Sequence, residues 1–457
     1  MKLPVVAPSL TQLFQTETPQ EFAKVLTMGL GPEVDGAYVH WDKLRHKIPP
    51  SDLNHRLWWL GIKMARRGQA RALPLLLDRD GTPFNLSLSD SMHRRLHYID
   101  REAAGSIAGM DGTEHGAQSK YLIRSLIEEA MTSSQLEGAS TTRAVAKEML
   151  KTGRPPRDQS ERMIYNNYRV MTEVKDRGKR PFTPKEIMEL HSMLTADTLE
   201  ESDQCGRFRT AEDNVVIYDR ANPDLVLHVP PKAEELPARL NRLCEFANSA
   251  ESTEFLHPVV RAIAIHFQMA YDHPFCDGNG RTARILFYWS MLNSGYWMME
   301  YLSISSALKK APGKYVQAYL DTESDECDIG YFVSQQLEAL EQAINGLHGY
   351  IARKSAENRR AEALLKSPAI LGKNFNHRQR ALLAHAIHSP ESVYTVATHQ
   401  AAHRVTYPTA INDLKGLVHA NLLQKRRSGK ADVYFPIGHL SKLLSTKSTD
   451  RAPIIPP

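Results

Sequence analysis

The chain has 457 residues, 42% hydrophobic and 24% charged, room for two to four domains at roughly 150 residues each. No stretch reaches the ~20 apolar residues that a bilayer-spanning helix needs, and the opening MKLPVVAPSL lacks the apolar core of a secretory signal, so a cytoplasmic protein with no membrane contact is expected. Four cysteines (Cys205, Cys244, Cys276, Cys327) without a CxxC pair argue against a disulfide framework and a thiolate zinc site, while the net charge of +5 is uneven: from Leu371 to Pro457 twelve Lys and Arg face four Asp and Glu, leaving residues 1–370 at −3.

Taken in order, the segments predict a mainly α protein. Residues 1–95 read as a helical N-terminal domain with an aromatic cluster (Trp41, Trp58, Trp59), a helix from Leu53 to Arg67, and a closing loop DRDGTPFNLSLSD. Residues 96–350 read as closely spaced helices with one exception, NVVIYDRANPDLVLHVPP at 214–231. There, β-rich runs Val215–Tyr218 and Leu225–Val229 flank a turn containing Asn222-Pro223-Asp224, and Pro230-Pro231 ends the hairpin. A charged helix from Gln335 to about Leu365 leads through a linker, 351–375, to a last module at 376–445. The Ser/Thr/Pro-rich tail at 446–457 is expected to be disordered.

The densest chemistry is His273-Pro274-Phe275-Cys276-Asp277-Gly278-Asn279-Gly280-Arg281-Thr282-Ala283-Arg284, set between two apolar helical segments, 259–271 and 285–292. A glycine-bearing loop that opens a helix presents free N–H groups and the positive end of the helix dipole, a setting for phosphate oxygens. Gly278-x-Gly280-x-x-Ala283, with Glu300 about 20 residues on, fits a dinucleotide fingerprint in letters, but that motif needs a preceding strand and the preceding segment reads helical. A metal pair of His266 and His273 lacks a third ligand at zinc spacing. A purely structural turn accounts poorly for a His, an Asp and two Arg around two glycines, and the chain has no GxxxxGK[ST] string, so phosphate chemistry of another kind remains.

The twelve residues match HxFx(D/E)GNGRxxR at every fixed position, and the chain thereby resembles the Fic family over about residues 125–330. The resemblance implies a Fic-type helical bundle with a β-hairpin flap, transferring AMP from ATP to a Ser, Thr or Tyr hydroxyl of a target protein and of itself. It implies His273 as general base, Phe275 as the anchor of the loop and Asp277 as the Mg²⁺ ligand. Gly278, Asn279 and Gly280 would cradle the α- and β-phosphates, Arg281 would meet the β-phosphate and Arg284 the γ-phosphate. Upstream, Ser133-Ser134-Gln135-Leu136-Glu137-Gly138 is similar to the family's inhibitory pattern [S/T]xxxE[G/N], which implies that Glu137 pairs with Arg284 and fills the γ-phosphate position. The 214–231 hairpin stands where the family carries the flap that holds a target's backbone, with Val216, Ile217 and Tyr218 as docking residues. Two positions depart from common family usage: Asp272 before His273, a carboxylate expected to raise the imidazole pKa, and Ala270. For the adenine pocket, Tyr301–Ser306 is the region to inspect.

The last module predicts a winged helix-turn-helix: NHRQRALLAHAIHS and TVATHQAAHRV as two helices, a third opening at Thr406-Tyr407-Pro408, and LLQKRRSGKADVYFPI as a wing turning at Ser428-Gly429. Thr409, Asn412 and Lys415 would face duplex DNA, with Lys425, Arg426, Arg427 and Lys430 on phosphates; a protein-docking domain is the other reading. The N-terminal region resembles the helical extension of one group of Fic proteins. Alternatives to adenylylation are removal of AMP from modified proteins, γ-phosphate transfer, which the intact Gly280 argues against, and a DNA-binding regulator whose Fic domain senses nucleotide. The sequence is compatible with a homo-oligomer.

Overall fold

The computed structural model describes residues 2–50, 52–104, 115–177, 180–249, 255–365, 375–388, 392–428 and 431–437. By contact density the chain divides into two compact units, Met1–Leu347 and His348–Pro457.

The first unit opens with α1 (Leu10–Thr16) and α2 (Pro19–Met28), each started by a capping box, at Ser9 and Thr18. The short α3 (Trp41–Leu44) precedes α4 (His55–Gln69), whose buried Trp58 and Trp59 are the centre of the N-terminal core, with Trp41 packed beside them. A hairpin follows, β1 (Arg71–Leu77) against β2 (Pro83–Leu86), partly inside the stretch that reads as loop. The loop reading fails because Asp78 organises a tight turn, its Oδ1 accepting from the N–H of Asp80 (2.9 Å) and of Thr82 (2.7 Å), while Phe84 and Leu86 go into the core.

Among the described residues eleven α-helices follow, the last running on past Leu347: α5 (Asp90–Ile99), α6 (His115–Leu136), α7 (Arg143–Thr152), α8 (Gln159–Arg177), α9 (Pro184–Thr195), α10 (Leu236–Asn248), α11 (Pro258–Asp272), α12 (Asn279–Asn293), α13 (Ile304–Lys310), α14 (Pro312–Glu323) and α15 (Gly330–Leu365). At the centre, α11 packs against α12, and α6 packs against α8. From Val259 to Met269 every residue of α11 is buried, Arg261, His266 and Gln268 included, so this mostly apolar helix is covered on all sides and serves as the core on which the site is built. Full burial of each Val, Ile or Phe there is worth about 1.5–3 kcal/mol in transfer free energy.

Between α9 and α10 lies the hairpin β3 (Ile217–Asp219) and β4 (Asn222–His228), paired Ile217↔His228, Tyr218↔Val226 and Asp219↔Asn222. Its turn is Arg220-Ala221, not Asn222-Pro223-Asp224: Asp219 Oδ1 accepts from the Ala221 N–H (2.9 Å), which closes the chain two residues early. Pro223 then sits in a strand, tolerated because a two-stranded sheet leaves one edge of each strand unpaired.

In the second unit α16 (His377–His388), α17 (Val396–His403) and α18 (Tyr407–His419) share a core of Leu382, Leu383, Leu414, Leu417 and Tyr434. The strands β5 (Tyr394–Thr395), β6 (Leu423–Ser428) and β7 (Ala431–Pro436) form a sheet in the order β5-β7-β6. Three helices and a terminal hairpin in this order are a winged helix-turn-helix. Gly429 and Lys430 of the expected wing turn, and the expected disordered tail, lie outside the described residues. No helix among the described residues is long and apolar enough to cross a membrane.

Candidate active site

The loop from His273 to Gly278 is held from three directions. Asn279, the first residue of α12, turns its side chain back so that Oδ1 accepts from the Phe275 N–H (2.9 Å) and Nδ2 donates to the Phe275 carbonyl (2.7 Å). From α9, the buried His191 stacks on Phe275 with ring centroids 3.6 Å apart and 11° between planes. Its Nδ1 accepts from the Gly206 N–H (3.2 Å) and its Nε2–H donates to the Asp277 carbonyl (2.9 Å). Burial pushes the His191 imidazole down to about 4, so the ring is neutral at physiological pH and that tautomer is fixed. From the segment before the hairpin, Arg209 donates Nε to the His273 carbonyl (2.8 Å) and Nη2 to the Pro231 carbonyl (2.5 Å), and its own N–H reaches the Pro274 carbonyl (2.9 Å).

Gly278 has φ +84, and a Cβ there would come within 2.7 Å of Thr195 Cγ2, so both the backbone and the closeness of α9 require glycine. It stands at the N-cap of α12 with no side-chain cap, which leaves the first-turn N–H groups for an incoming anion.

His273 itself takes a left-handed conformation (φ 45, ψ 56), uncommon for a residue with a side chain, and is held there by Arg209. Its Nδ1 pairs with the Ala270 carbonyl (3.1 Å), which assigns the proton to Nδ1 and leaves Nε2 as acceptor. Burial pushes its pKa down to about 4. The expected upward shift from Asp272 does not occur, because Asp272 points into the protein, accepting from Arg239 Nε (2.8 Å) and Gln268 Nε2 (2.8 Å).

Glu137 follows the last residue of α6 and brings a carboxylate to the site. Arg284 donates Nη2 to Glu137 Oε1 (2.7 Å) and to the Ser133 carbonyl (3.0 Å), and Nε to Ser133 Oγ (2.9 Å). Burial would raise the Glu137 carboxyl, but Arg284 in contact, with Arg281 and Arg220 nearby, holds it below the usual carboxylate range. A Cβ on Gly280 would overlap Glu137 Oε1, so the carboxylate lies against the N-terminus of α12. Gly138 (φ +104) carries the chain away from the helix. Farther up α6, the buried Glu129 accepts from Ser303 Oγ (2.8 Å), the Ser305 N–H (2.9 Å) and Ser305 Oγ.

Around one cleft of about 170 Å³ the structure brings together Glu137, Ile217, His273, Gly280 and Arg284, with His228, Glu323 and an apolar lining of Leu227, Val316, Tyr319 and Leu320. The other predicted residues do not line it. Phe275, Gly278 and Asn279 are buried behind it, and Arg281 is fully buried, donating Nη2 to Asp277 Oδ2 (3.1 Å) and Nη1 to the Leu194 carbonyl (3.3 Å). The Asp277 side chain is exposed; Val216 precedes β3, and Tyr218 faces solvent. Tyr301–Ser306 is also absent from the lining: Ser303 and Ser305 serve Glu129 instead.

Sequence reading gave no role to His191, Arg209, Arg239 or Arg220. The one sequence signal for Arg209 is that Gly206-Arg207-Phe208-Arg209, like HVPP at 228–231, resembles the surroundings of a Fic motif; the others are single residues on helices or a turn.

Residues 181–291 match the sequence model of the Fic/DOC family. The protein adenylyltransferase Fic of Nematostella vectensis is 34% identical over 116 residues, 25% of this chain and 24% of its own length. That of Drosophila yakuba is 28% identical over 218 residues, 44% of this chain and 39% of its own. The chain thus spans well under half the length of these curated relatives. A crystal structure of a Fic family protein from Desulfovibrio desulfuricans G20 superposes with a TM-score of 0.48 at 18% identity, covering 76% of this chain and 95% of that one.

Proposed function

We propose that this chain, which carries a Fic/DOC domain over residues 181–291, is a protein adenylyltransferase that moves AMP from ATP to a hydroxyl of a target protein and is restrained by its own Glu137. The observation that supports this most is a neutral imidazole with a free Nε2 beside an anion site that an intramolecular carboxylate fills. With Glu137 withdrawn, Arg284 and the first-turn N–H groups of α12 are donors for the β- and γ-phosphates of ATP. The base would lie against Ile217, Leu227, Val316, Tyr319 and Leu320. His273 Nε2 would take the proton from the attacking Ser, Thr or Tyr hydroxyl as the oxygen bonds to the α-phosphorus and pyrophosphate leaves.

Mg²⁺ binds through one or two carboxylates together with substrate phosphates. The single exposed Asp277 carboxylate fits that donor set, and the ion would neutralise phosphate charge there. Arg281 is proposed to act through Asp277, holding the carboxylate in place, instead of touching phosphate.

The test is label transfer to protein from ATP labelled at the α- or the γ-phosphate, with wild type, His273→Ala and Glu137→Gly. Label from α-ATP alone, strongest in Glu137→Gly and lost in His273→Ala, is the expected result. Label from γ-ATP would mean phosphotransfer; no label, with release of AMP from a modified protein, would mean the reverse reaction with Glu137 orienting water.

For the second unit we propose duplex DNA as partner. Its described carboxylates in 375–437 are engaged within the unit, Asp413 by Arg378 (2.6 Å) and His399 (3.2 Å), Asp432 by Lys425 (2.7 Å). Asn412 and Lys415 on α18 and Arg426 and Arg427 on β6 are exposed and have no acidic partner among the described residues. Fluorescence anisotropy on a random-sequence duplex should show binding that weakens steeply with salt and is lost in the triple variant Lys415→Glu, Arg426→Glu, Arg427→Glu. Binding unaffected by these changes would reject the proposal.

A further inference from the structure

Glu137 has two carboxylate oxygens, and the two arginines that pair with them come from different parts of the molecule. Oε1 meets Arg284 from the core, at 2.7 Å. Oε2 faces Arg220, at 3.5 Å, and Arg220 is the first residue of the turn between β3 and β4. Arg220 also donates Nη1 to the carbonyl of Leu136, at 2.6 Å. Leu136 is the last residue of α6, so its carbonyl is one of those a helix end leaves without an intrahelical partner, and a guanidinium there complements the negative end of the helix dipole. The hairpin is also fastened at its far end, where His228 Nε2 meets the Tyr271 carbonyl (2.8 Å) and Nδ1 meets Glu323 (2.8 Å). Two attachments thus bracket the strand pair, one on the core helices and one on the segment bearing Glu137.

We propose that Arg220 is a positioning residue that couples the hairpin to the restraint: it steadies the end of α6 and the carboxylate of Glu137, so that displacing the hairpin's turn weakens the hold of Glu137 on Arg284. This rests on the reading of Glu137 as the restraining group. Arg220 is largely exposed, with 69% of its side-chain surface open, so its contacts are screened and a modest effect is expected, whereas the buried Arg284 contact supplies most of the hold. Coupling between two sites is reciprocal, so displacement of the turn favours release of Glu137 by the same factor by which release of Glu137 favours displacement of the turn. A target strand added along β3 ends next to Arg220, which places the release beside the surface where a substrate would dock.

The test uses the full chain in four forms: wild type, Arg220→Ala, Glu137→Gly and the double variant, with thermal melting to verify folding and Arg220→Lys to retain the charge. Arg220→Ala should raise α-phosphate label transfer about three- to fivefold when Glu137 is present and leave the Glu137→Gly rate unchanged. Arg220→Lys should stay near wild type. Without turnover, Arg220→Ala should tighten binding of ATP and leave ADP, which has no γ-phosphate to contest Arg284, unchanged. An equal change in both Glu137 backgrounds, or an equal change for ATP and ADP, would overturn the coupling and make Arg220 a general prop of the hairpin. A Glu137→Gly rate no higher than wild type would instead sink the restraint reading itself, and the ATP against ADP comparison would still decide Arg220.

Discussion

The loop from His273 to Gly278 and the hairpin from Ile217 to His228 both reach the same cleft, yet they are held in opposite ways. Around the loop, Asn279, His191 and Arg209 each satisfy backbone groups of residues 273–277, and all three are buried. The hairpin is two short strands, with Tyr218 half-exposed and Asn222, Pro223 and Asp224 open to solvent. The proposed reading fits this difference: a segment that holds a reacting atom within fractions of an ångström would be over-determined by its neighbours, and one that accepts another chain's backbone would keep an edge free, as the two-stranded sheet does.

The comparison breaks most readily at Asn279. Asn279→Ala removes both bonds to Phe275 and strands a buried N–H and C=O, so it should cost about 2–4 kcal/mol by urea unfolding and abolish label transfer. An unfolding midpoint equal to wild type would show that the loop is not held as described.

A second experiment uses pH. His191 and His273 stay neutral down to about 4, and His266, buried in α11, down to about 3, whereas unfolded histidines titrate near 6.5. Between those values the unfolded chain binds protons that the folded one refuses. Stability should therefore be complete above about pH 6.5 and fall as pH drops toward 4. The label-transfer rate should show no loss attributable to His273 protonation at pH 6; an activity limb centred near 6.5 would contradict the neutral imidazole.

The smallest effect sharpens the other side. Tyr218→Ala should change stability by no more than about 0.5 kcal/mol and leave ATP affinity alone, while lowering modification of a protein target. A loss of ATP affinity would place Tyr218 in the nucleotide site instead of on the docking edge.

What the sequence made legible follows from how far apart the interacting residues lie. His273 to Arg284 is a single local string whose spacing alone marks a loop opening a helix, and the pattern at Ser133 to Gly138 is also local. The clamps are not: His191 meets Asp277 86 positions away, Arg209 meets His273 64 away, and Arg220 meets Leu136 84 away. Each is a lone charged or aromatic side chain in an ordinary helix or turn until the fold brings its partner near. The pKa of His273 departs from its sequence expectation for a related reason. Asp272 is adjacent in sequence, but at the end of a buried helix its side chain turns to Arg239, and desolvation decides the imidazole.

Glu137 and Arg284 belong to one chain, and α6 is tied down a second time where Glu129 meets Ser303 and Ser305. The contact between carboxylate and guanidinium is therefore unimolecular, with an effective concentration set by the fold and not by the amount of protein. Dilution cannot relieve it, and in the proposed reading nucleotide competes against a tethered rival at a fixed local concentration. Under the proposed restraint, the balance then shifts with the concentration of ATP itself or with whatever moves the end of α6 or the turn that steadies it.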